Sequence, residues 1–309
     1  MKRAMVIGSV VYDEIFTIEE VIKNEIPLKK GKIENLNLMF NAREKIKRYG
    51  GVGGNIAYGL AVQNQKPLLL SAAGQDFFYD YGPYLKKLNV DLRIMKGPKN
   101  SHTATFYSIS DQNKEQIGIF QPNIYKKYVD KIELLDLVDK KELKAIKVVI
   151  FSPGTGPSTQ KHFKQFAQFG NTKAIKILDP GQSLSTTFTR EIFEKILPET
   201  DILIGNQIEI NQMSCLYNLN LRDILNLGAK FIIETRGIKG SMIYTKEKAY
   251  PIPAYPAKKF KEATGAGDAF RAGLIKALLA GQDIKDSALL GAKVAAKSVE
   301  FIGAQGYKF

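Results

Sequence analysis

The feature that most constrains this chain is a repeated alternation. Short apolar, β-branched runs at 67–73, 146–151, 173–178, 201–204 and 230–235 end at polar or glycine-containing turns, and helix-period stretches intervene. Runs of this length without polar alternation suit strands buried on both faces, as in parallel sheets covered by helices. The expected fold class is therefore α/β, with a central, mostly parallel sheet flanked by helices. Such sheets bind ligands outside the carboxyl ends of their strands, so the turns that follow the runs are the places to look for chemistry.

Two glycine-rich turns stand out. The first is Gly50-Gly51-Val52-Gly53-Gly54-Asn55, followed by a helical pattern of Ile56, Ala57, Leu60, Ala61 and Val62. It has neither the Gly-Lys-Ser/Thr of a Walker A loop nor dinucleotide spacing. The second is Thr264-Gly265-Ala266-Gly267-Asp268-Ala269-Phe270, continued by Leu274, Ile275, Leu278 and Leu279. A glycine turn that opens a helix offers free amides and the positive end of the helix dipole to an anion. Asp268 would repel a phosphate there, unless its task is to accept a proton from a hydroxyl that attacks the phosphate. The amides of Gly265, Ala266 and Gly267 would then form the anion hole. Arg271, one turn further on, either touches phosphate or is salt-bridged.

Around these turns the chain offers further candidates. The run 3–12 reads as one central strand ending at Asp13, which either faces a ligand or caps a turn. Residues 14–48 break the alternation, with Leu38 and Phe40 among mixed polar segments, and read as inserted strands forming a lid or an oligomer-forming flap. Residues 103–109 and 115–120 read as a hairpin around Asp111-Gln112-Asn113-Lys114. It carries Phe106 and Phe120 on its two strands, either to clamp a flat ring or to pack a core. Asn206-x-x-Glu209 at a helix start suits either water-mediated Mg²⁺ contact or a capping box.

Composition excludes several classes. The net charge is +14, but the lysines are dispersed in ones and twos, so a nucleic-acid groove is not expected. His102 and His162 sit in no metal spacing and no Gly-x-Ser-x-Gly elbow exists, which argues against a zinc enzyme or a hydrolase triad. Cys215 stands alone, so there is no internal disulfide, and a reducing, cytoplasmic setting is expected. Lys2 and Arg3 precede an apolar run broken by Asp13 and Glu14, which reads as a strand and not as a signal peptide. No stretch has the length of a membrane span.

The two glycine motifs, in this order and at opposite ends of the chain, resemble the paired signatures of the ribokinase-like (PfkB) carbohydrate and nucleoside kinases. Gly8-Ser9-Val10-Val11-Tyr12-Asp13, Thr103-Ala104-Thr105-Phe106, Asp179-Pro180-Gly181-Gln182 and Gly303-Ala304-Gln305 extend the likeness toward bacterial adenosine kinases and archaeal nucleoside kinases. The resemblance implies a Rossmann-like ribokinase fold, one domain over 1–309, with a β-lid from about 14–48 plus the hairpin at about 103–120. It implies ATP-dependent phosphorylation of a nucleoside 5′-hydroxyl, adenosine foremost, with a ribokinase- or fructokinase-type sugar kinase as the alternative. A silent ligand sensor or nucleic-acid binder is a more distant reading.

On this resemblance Asp268 is the catalytic base. Ser9, Asp13, Gly51, Asn55, Phe106, Phe120, Gln182 and Arg271 lie on the acceptor side. Asn206, Thr235, Gly237, Gly240 and Thr264 lie on the ATP side, and Glu209 reaches Mg²⁺ through water. Homodimerisation through the lid is implied, and K⁺ is a further implied ligand. The chain departs from the family at Glu262-Ala263, where Asp and then Pro or Thr are usual, at Ser183, where glutamine repeats, and at Asn123, where Pro-Gly is usual.

Overall fold

The computed structural model describes residues 3–29, 32–33, 37–113 and 115–309. Parts of two expected features, the inserted segment at 30–31 and 34–36 and the hairpin turn at 114, lie outside the described residues.

Nine strands form the central sheet. From one edge the order is Ala249–Ile252, Ser241–Tyr244, Phe231–Thr235, Ile202–Asn206, Ile175–Leu178, Ile146–Phe151, Arg3–Ile7, Leu68–Ala73 and Asp91–Lys96. The pairs from Phe231–Thr235 through Asp91–Lys96 are all parallel, and the last two strands at the other edge run antiparallel. Alternate residues of a strand face opposite sides, and here both sides are buried. Ala4 and Val6 join one core cluster, while Met5 and Ile7 join the other. The helices Val52–Ala61, Ala266–Ala280 and Ile284–Ser298 contribute to the first cluster, and Gly156–Phe169 contributes Phe163 and Phe166 to the second. This is the doubly covered α/β arrangement expected from the apolar runs.

A second, four-stranded sheet stands beside the first, in the order Ala42–Gly50, Val11–Ile18, Ala104–Ser110, Gln116–Gln121. The expected hairpin is its last two strands. Its second strand corrects the reading of 3–12 as a single element. The central strand stops at Ile7, the chain crosses through Gly8-Ser9-Val10, and Val11 begins a strand of the other sheet. At the crossing the Ser9 carbonyl accepts the Gly54 amide at 3.0 Å, in place of a bond within the central ladder. Gly8-Ser9 is the one mark of this crossing in the sequence; Asp13 lies on the small sheet and not at the end of a central strand.

Candidate active site

Both glycine turns open helices, and the two helices bring their first turns together. Gly51 and Gly265 are the N-caps, at φ +84° and +77°, where a β-carbon would be strained. Asn55, on the first helix, donates from Nδ2 to Asp268 Oδ2 at 2.8 Å. Asn55 is itself held by Gln305, whose Nε2 donates to Asn55 Oδ1 at 2.9 Å and also to the Tyr81 hydroxyl. That hydroxyl donates to the Gly50 carbonyl at 3.0 Å, closing the chain of contacts back onto the first turn. One face of the Asp268 carboxylate is thus fixed, while Oδ1 has no hydrogen-bond partner among the described residues.

Asp268 is part-buried. Burial pushes its carboxyl up to about 7; Arg271 and the Asn55 hydrogen bond oppose this, and Asp179 and Glu209 add to it. A carboxylate in that range can accept a proton near neutral pH. Of the three amides expected to form an anion hole, one is already engaged within the turn. Ala266 N donates to Ala263 O at 3.1 Å, because the turn closes on itself there, while the Gly267 amide has no acceptor among the described residues. Thr264, just before the turn, is exposed.

Arg271 does not reach outward. It is 6% exposed, donates from Nη2 to Asp179 Oδ1 at 2.8 Å and from Nη1 to Gly267 O at 3.0 Å, and its Nε lies 2.6 Å from Asp179 Oδ2. The arginine therefore braces the turn from behind, with its charge matched by Asp179. Asp179 follows the strand Ile175–Leu178. Gln182 falls in the short turn Gly181–Ser183 after it, and its side chain is outside the described residues.

The candidates for the acceptor side are set by strand register. Arg48, Asp13, Phe106 and Phe120 are mutual partners across the four strands of the small sheet, so their side chains share one face. Phe106 is part-buried and Phe120 is 53% exposed. Asp13 lies near enough to Arg48 and Glu262 to feel both: burial pushes its carboxyl up to about 6, Arg48 pulls it down, and Glu262 raises it. Ser9 is buried beside Gly51, at the crossing between the sheets.

The nucleotide-side candidates collect at the carboxyl ends of two neighbouring strands. Asn206 and Thr235 are register partners at those ends. Gly237 opens the short turn Gly237–Lys239 beyond Thr235, and Gly240 closes it. Asn206 and Glu209 form a capping box, each side chain bonded to the other's amide, at 2.9 and 2.8 Å. Burial raises the Glu209 carboxyl, Asp179 raises it further, and Arg271 offsets this. The Asn-x-x-Glu pair is therefore a cap in the structure, and it also places Glu209 within the electrostatic reach of Asp268. Among the described residues no group of three acidic, histidine or cysteine side chains could hold a metal alone. Glu209, with Asp179 nearby, suits Mg²⁺ only in the mode where water and substrate phosphates fill most positions.

Sequence reasoning missed four contributors. Arg48, Asp179, Tyr81 and Gln305 act through partners distant in the chain; Asp179 and Gln305 lie in stretches quoted for the family likeness, but their contacts to Arg271 and Asn55 were not foreseen. Gln305 is 250 residues from Asn55. His162 is a neutral core group, pushed down to about 4 by burial and bonded to the Ile132 carbonyl. Cavities of about 340 and 250 Å³ lie at the amino ends of the strands, away from Asp268. Among the described residues no helix is long and apolar enough to cross a membrane.

Comparison with known proteins places this geometry. Residues 1–307 match the pfkB family carbohydrate kinases. A nucleoside kinase of Methanocaldococcus jannaschii is 30% identical over 310 residues, 99% of this chain and 93% of the relative. A 5-dehydro-2-deoxygluconokinase of Clostridium perfringens is 27% identical over 82% of this chain and 78% of the relative. The crystal structure of the M. jannaschii nucleoside kinase, described as an archaeal member of the ribokinase family, superposes with a TM-score of 0.84 at 28% identity, covering 100% of this chain and 95% of that one. The two helix starts that meet at Asn55 and Asp268, on a doubly covered parallel sheet, are thus those of a phosphotransferase, and the chain belongs to the pfkB carbohydrate kinase family.

Proposed function

We propose that this protein transfers the terminal phosphoryl group of ATP to the 5′-hydroxyl of a nucleoside, with adenosine as the first candidate acceptor. The observation that carries the reading is the row Asp13, Phe106, Phe120 on one face of the small sheet. A carboxylate that can bind sugar hydroxyls stands beside two aromatic rings that can flank a flat base. The nucleoside kinase relative supports it. The small sheet then serves as a lid, and its closure excludes water and limits ATP hydrolysis.

In this reading Asp268 takes the acceptor proton through Oδ1, while Asn55 holds Oδ2. The Gly265 and Gly267 amides receive the charge on the transferring group, a preorganised role that needs no reorientation. Ser9, Gly51 and Gln182 border the acceptor; Asn206, Thr235, Gly237, Gly240 and Thr264 border ATP. Glu209 would hold Mg²⁺ through water, and the ion would supply neutralisation of the nucleotide's negative charge. The lid also serves as a homodimer contact: the face opposite Asp13 carries Phe16, Tyr107, Ile109, Ile117 and Ile119, with Ile119 58% exposed. Sedimentation of wild type against Ile119→Asp checks this.

The sugar kinase reading stays as the second one, favoured by the 5-dehydro-2-deoxygluconokinase relative and by Asp13, which serves any vicinal hydroxyl pair equally. One assay decides: ATP/Mg²⁺ phosphotransfer to adenosine, inosine, guanosine, cytidine, ribose and fructose in parallel. Turnover of ribose or fructose above every nucleoside would overturn the nucleoside reading.

A further inference from the structure

The loop that leads into the anion hole carries one carboxylate, Glu262, three residues before the Gly265 cap. That carboxylate is fully engaged. Arg48 Nη1 lies 3.2 Å from Oε1 and 3.0 Å from Oε2, and the Gly303 amide donates to Oε2 at 3.0 Å. Both side chains are about three-quarters enclosed, 23% and 26% exposed. Against burial, which raises it, hydrogen bonds from Thr264 and Gly303 and the Arg48 charge hold the Glu262 carboxyl below its usual range. Three separate parts of the chain meet here: a strand of the small sheet through Arg48, the anion-hole loop through Glu262, and the C-terminal loop through Gly303.

The family resemblance implies a monovalent cation near this loop, and the loop's one carboxylate does not fit one. A K⁺ ion bound to Glu262 would have to displace the guanidinium or sit close to it, and two like charges at about 4 Å repel by several kcal/mol at a half-buried site. Among the described residues no alternative cluster of acidic side chains offers itself.

We infer that Arg48 is the built-in cation of this loop, so that the protein needs no monovalent metal to organise its anion hole. A guanidinium suits the task because it is always charged, weakly hydrated and planar. The arrangement has a consequence that a free ion lacks. Arg48 is the register partner of Asp13, so the cation travels with the small sheet and reaches the loop only when that sheet is seated. Arg48 is a positioning residue: it acts on the anion hole through Glu262 and touches no reacting atom.

The inference rests on the phosphotransfer reading for its kinetic arm, and a second arm is independent of turnover. Desalted protein is melted in K⁺, Na⁺ or choline chloride at about 100 mM; binding of an ion to the folded state alone raises Tm by mass action. Wild type is expected to melt within about 1 °C in all three, and Arg48→Ala to gain about 3 °C in K⁺ over choline as the vacated carboxylate takes up the ion. A K⁺-specific rise in wild type overturns the inference, as does a folded Arg48→Ala with no response to K⁺.

In the kinetic arm, wild-type kcat is expected to be the same within about twofold in the three salts. Arg48→Ala should lose about tenfold and recover most of it with K⁺ or millimolar ethylguanidinium, while Arg48→Lys stays independent of K⁺. Rescue must vanish in Arg48→Ala/Glu262→Gln; its persistence there overturns the assignment. Should Arg48→Ala fail to fold, Glu262→Gln replaces it: loss of turnover without any K⁺ response supports the pair, and a K⁺ response overturns it. Failure of all acceptors in the phosphotransfer panel would sink the proposed function and leave the melting arm to decide the cation.

Discussion

Two helices of this protein begin at a glycine of positive φ, Gly51 at +84° and Gly265 at +77°, and neither cap offers a side chain to its turn. In the sequence the two turns look alike. In the fold they differ in what their amides meet. Behind Gly51, the Gly54 amide is bonded to the Ser9 carbonyl, which fastens the crossing between the sheets. Behind Gly265, the Gly267 amide has no acceptor among the described residues. The Gly54 amide ties one stretch of polypeptide to another, while the Gly267 amide is left open, as the proposed anion-binding role requires. The side chain that follows differs in the same sense: the first turn leads to the amide of Asn55, the second to the carboxylate of Asp268, and the amide holds the carboxylate still.

The largest test of this division is Asp268→Asn. Removing a general base costs about 10³-fold in kcat, with acceptor KM little changed; near-normal turnover would remove Asp268 from its role. The same variant has a stability signature. The folded carboxyl is raised to about 7, above its unfolded value, so protonation stabilises the fold at low pH and that stability is lost as pH rises through about 7. Asn cannot ionise, so Asp268→Asn should melt above wild type at pH 8, and the gap should close as pH falls toward 4, about the unfolded carboxyl value. A constant gap across that range would contradict the burial of this charge.

Next in size is the pair of cap substitutions. Gly265→Ala forces a β-carbon onto positive φ and into Ala304, which it would approach within 2.4 Å of Cβ. The expected cost is about 1–3 kcal/mol of stability and, as the amides tilt, about a hundredfold in kcat. Gly51→Ala should lose comparable stability but show its kinetic effect chiefly in acceptor KM. Equal kcat losses in the two variants would erase the distinction between the turns.

Smaller still is Asn55→Ala. Its hydrogen bond lowers the Asp268 carboxyl, so removing it moves the acid limb of the kcat–pH profile upward from near 7. About tenfold in kcat should be lost at neutral pH, with partial recovery in alkali; an unmoved limb would mean that the contact is packing alone. Least of all, Tyr81→Phe deprives Gly50 O and Gln305 of one partner and should cost about 1 kcal/mol in stability with kcat nearly unchanged.

These contrasts also separate what could be read in the chain from what could not. The central sheet was legible because its strands are buried on both faces and are punctuated by turns. Asp268 and Asn55 were legible because each follows a glycine turn at a helix start. Asp13 was placed on the wrong strand, since the Gly8-Ser9 interruption is only two residues long and the bond at the crossing comes from Gly54, far along the chain. Arg48 looked like one more cation in a basic segment. Its meaning depends on Glu262, 214 residues away, and no periodicity reports such a pairing. Arg271 shows the reverse limit. Helical spacing put it correctly beside Asp268, but the buried Asp179 that takes its charge comes from another strand.

The row Arg48, Asp13, Phe106, Phe120 has a further consequence. If the acceptor binds on this face, as proposed, its recognition is a reading frame set by strand pairing. Shifting one strand by a single residue would send its member of the row to the outer face, although every backbone hydrogen bond could form again. A one-residue deletion within 104–110 should therefore abolish acceptor discrimination in a sheet that still pairs. Under the proposed function, changes of acceptor are then open to substitution at Asp13, Phe106 and Phe120 and closed to small insertions beside them.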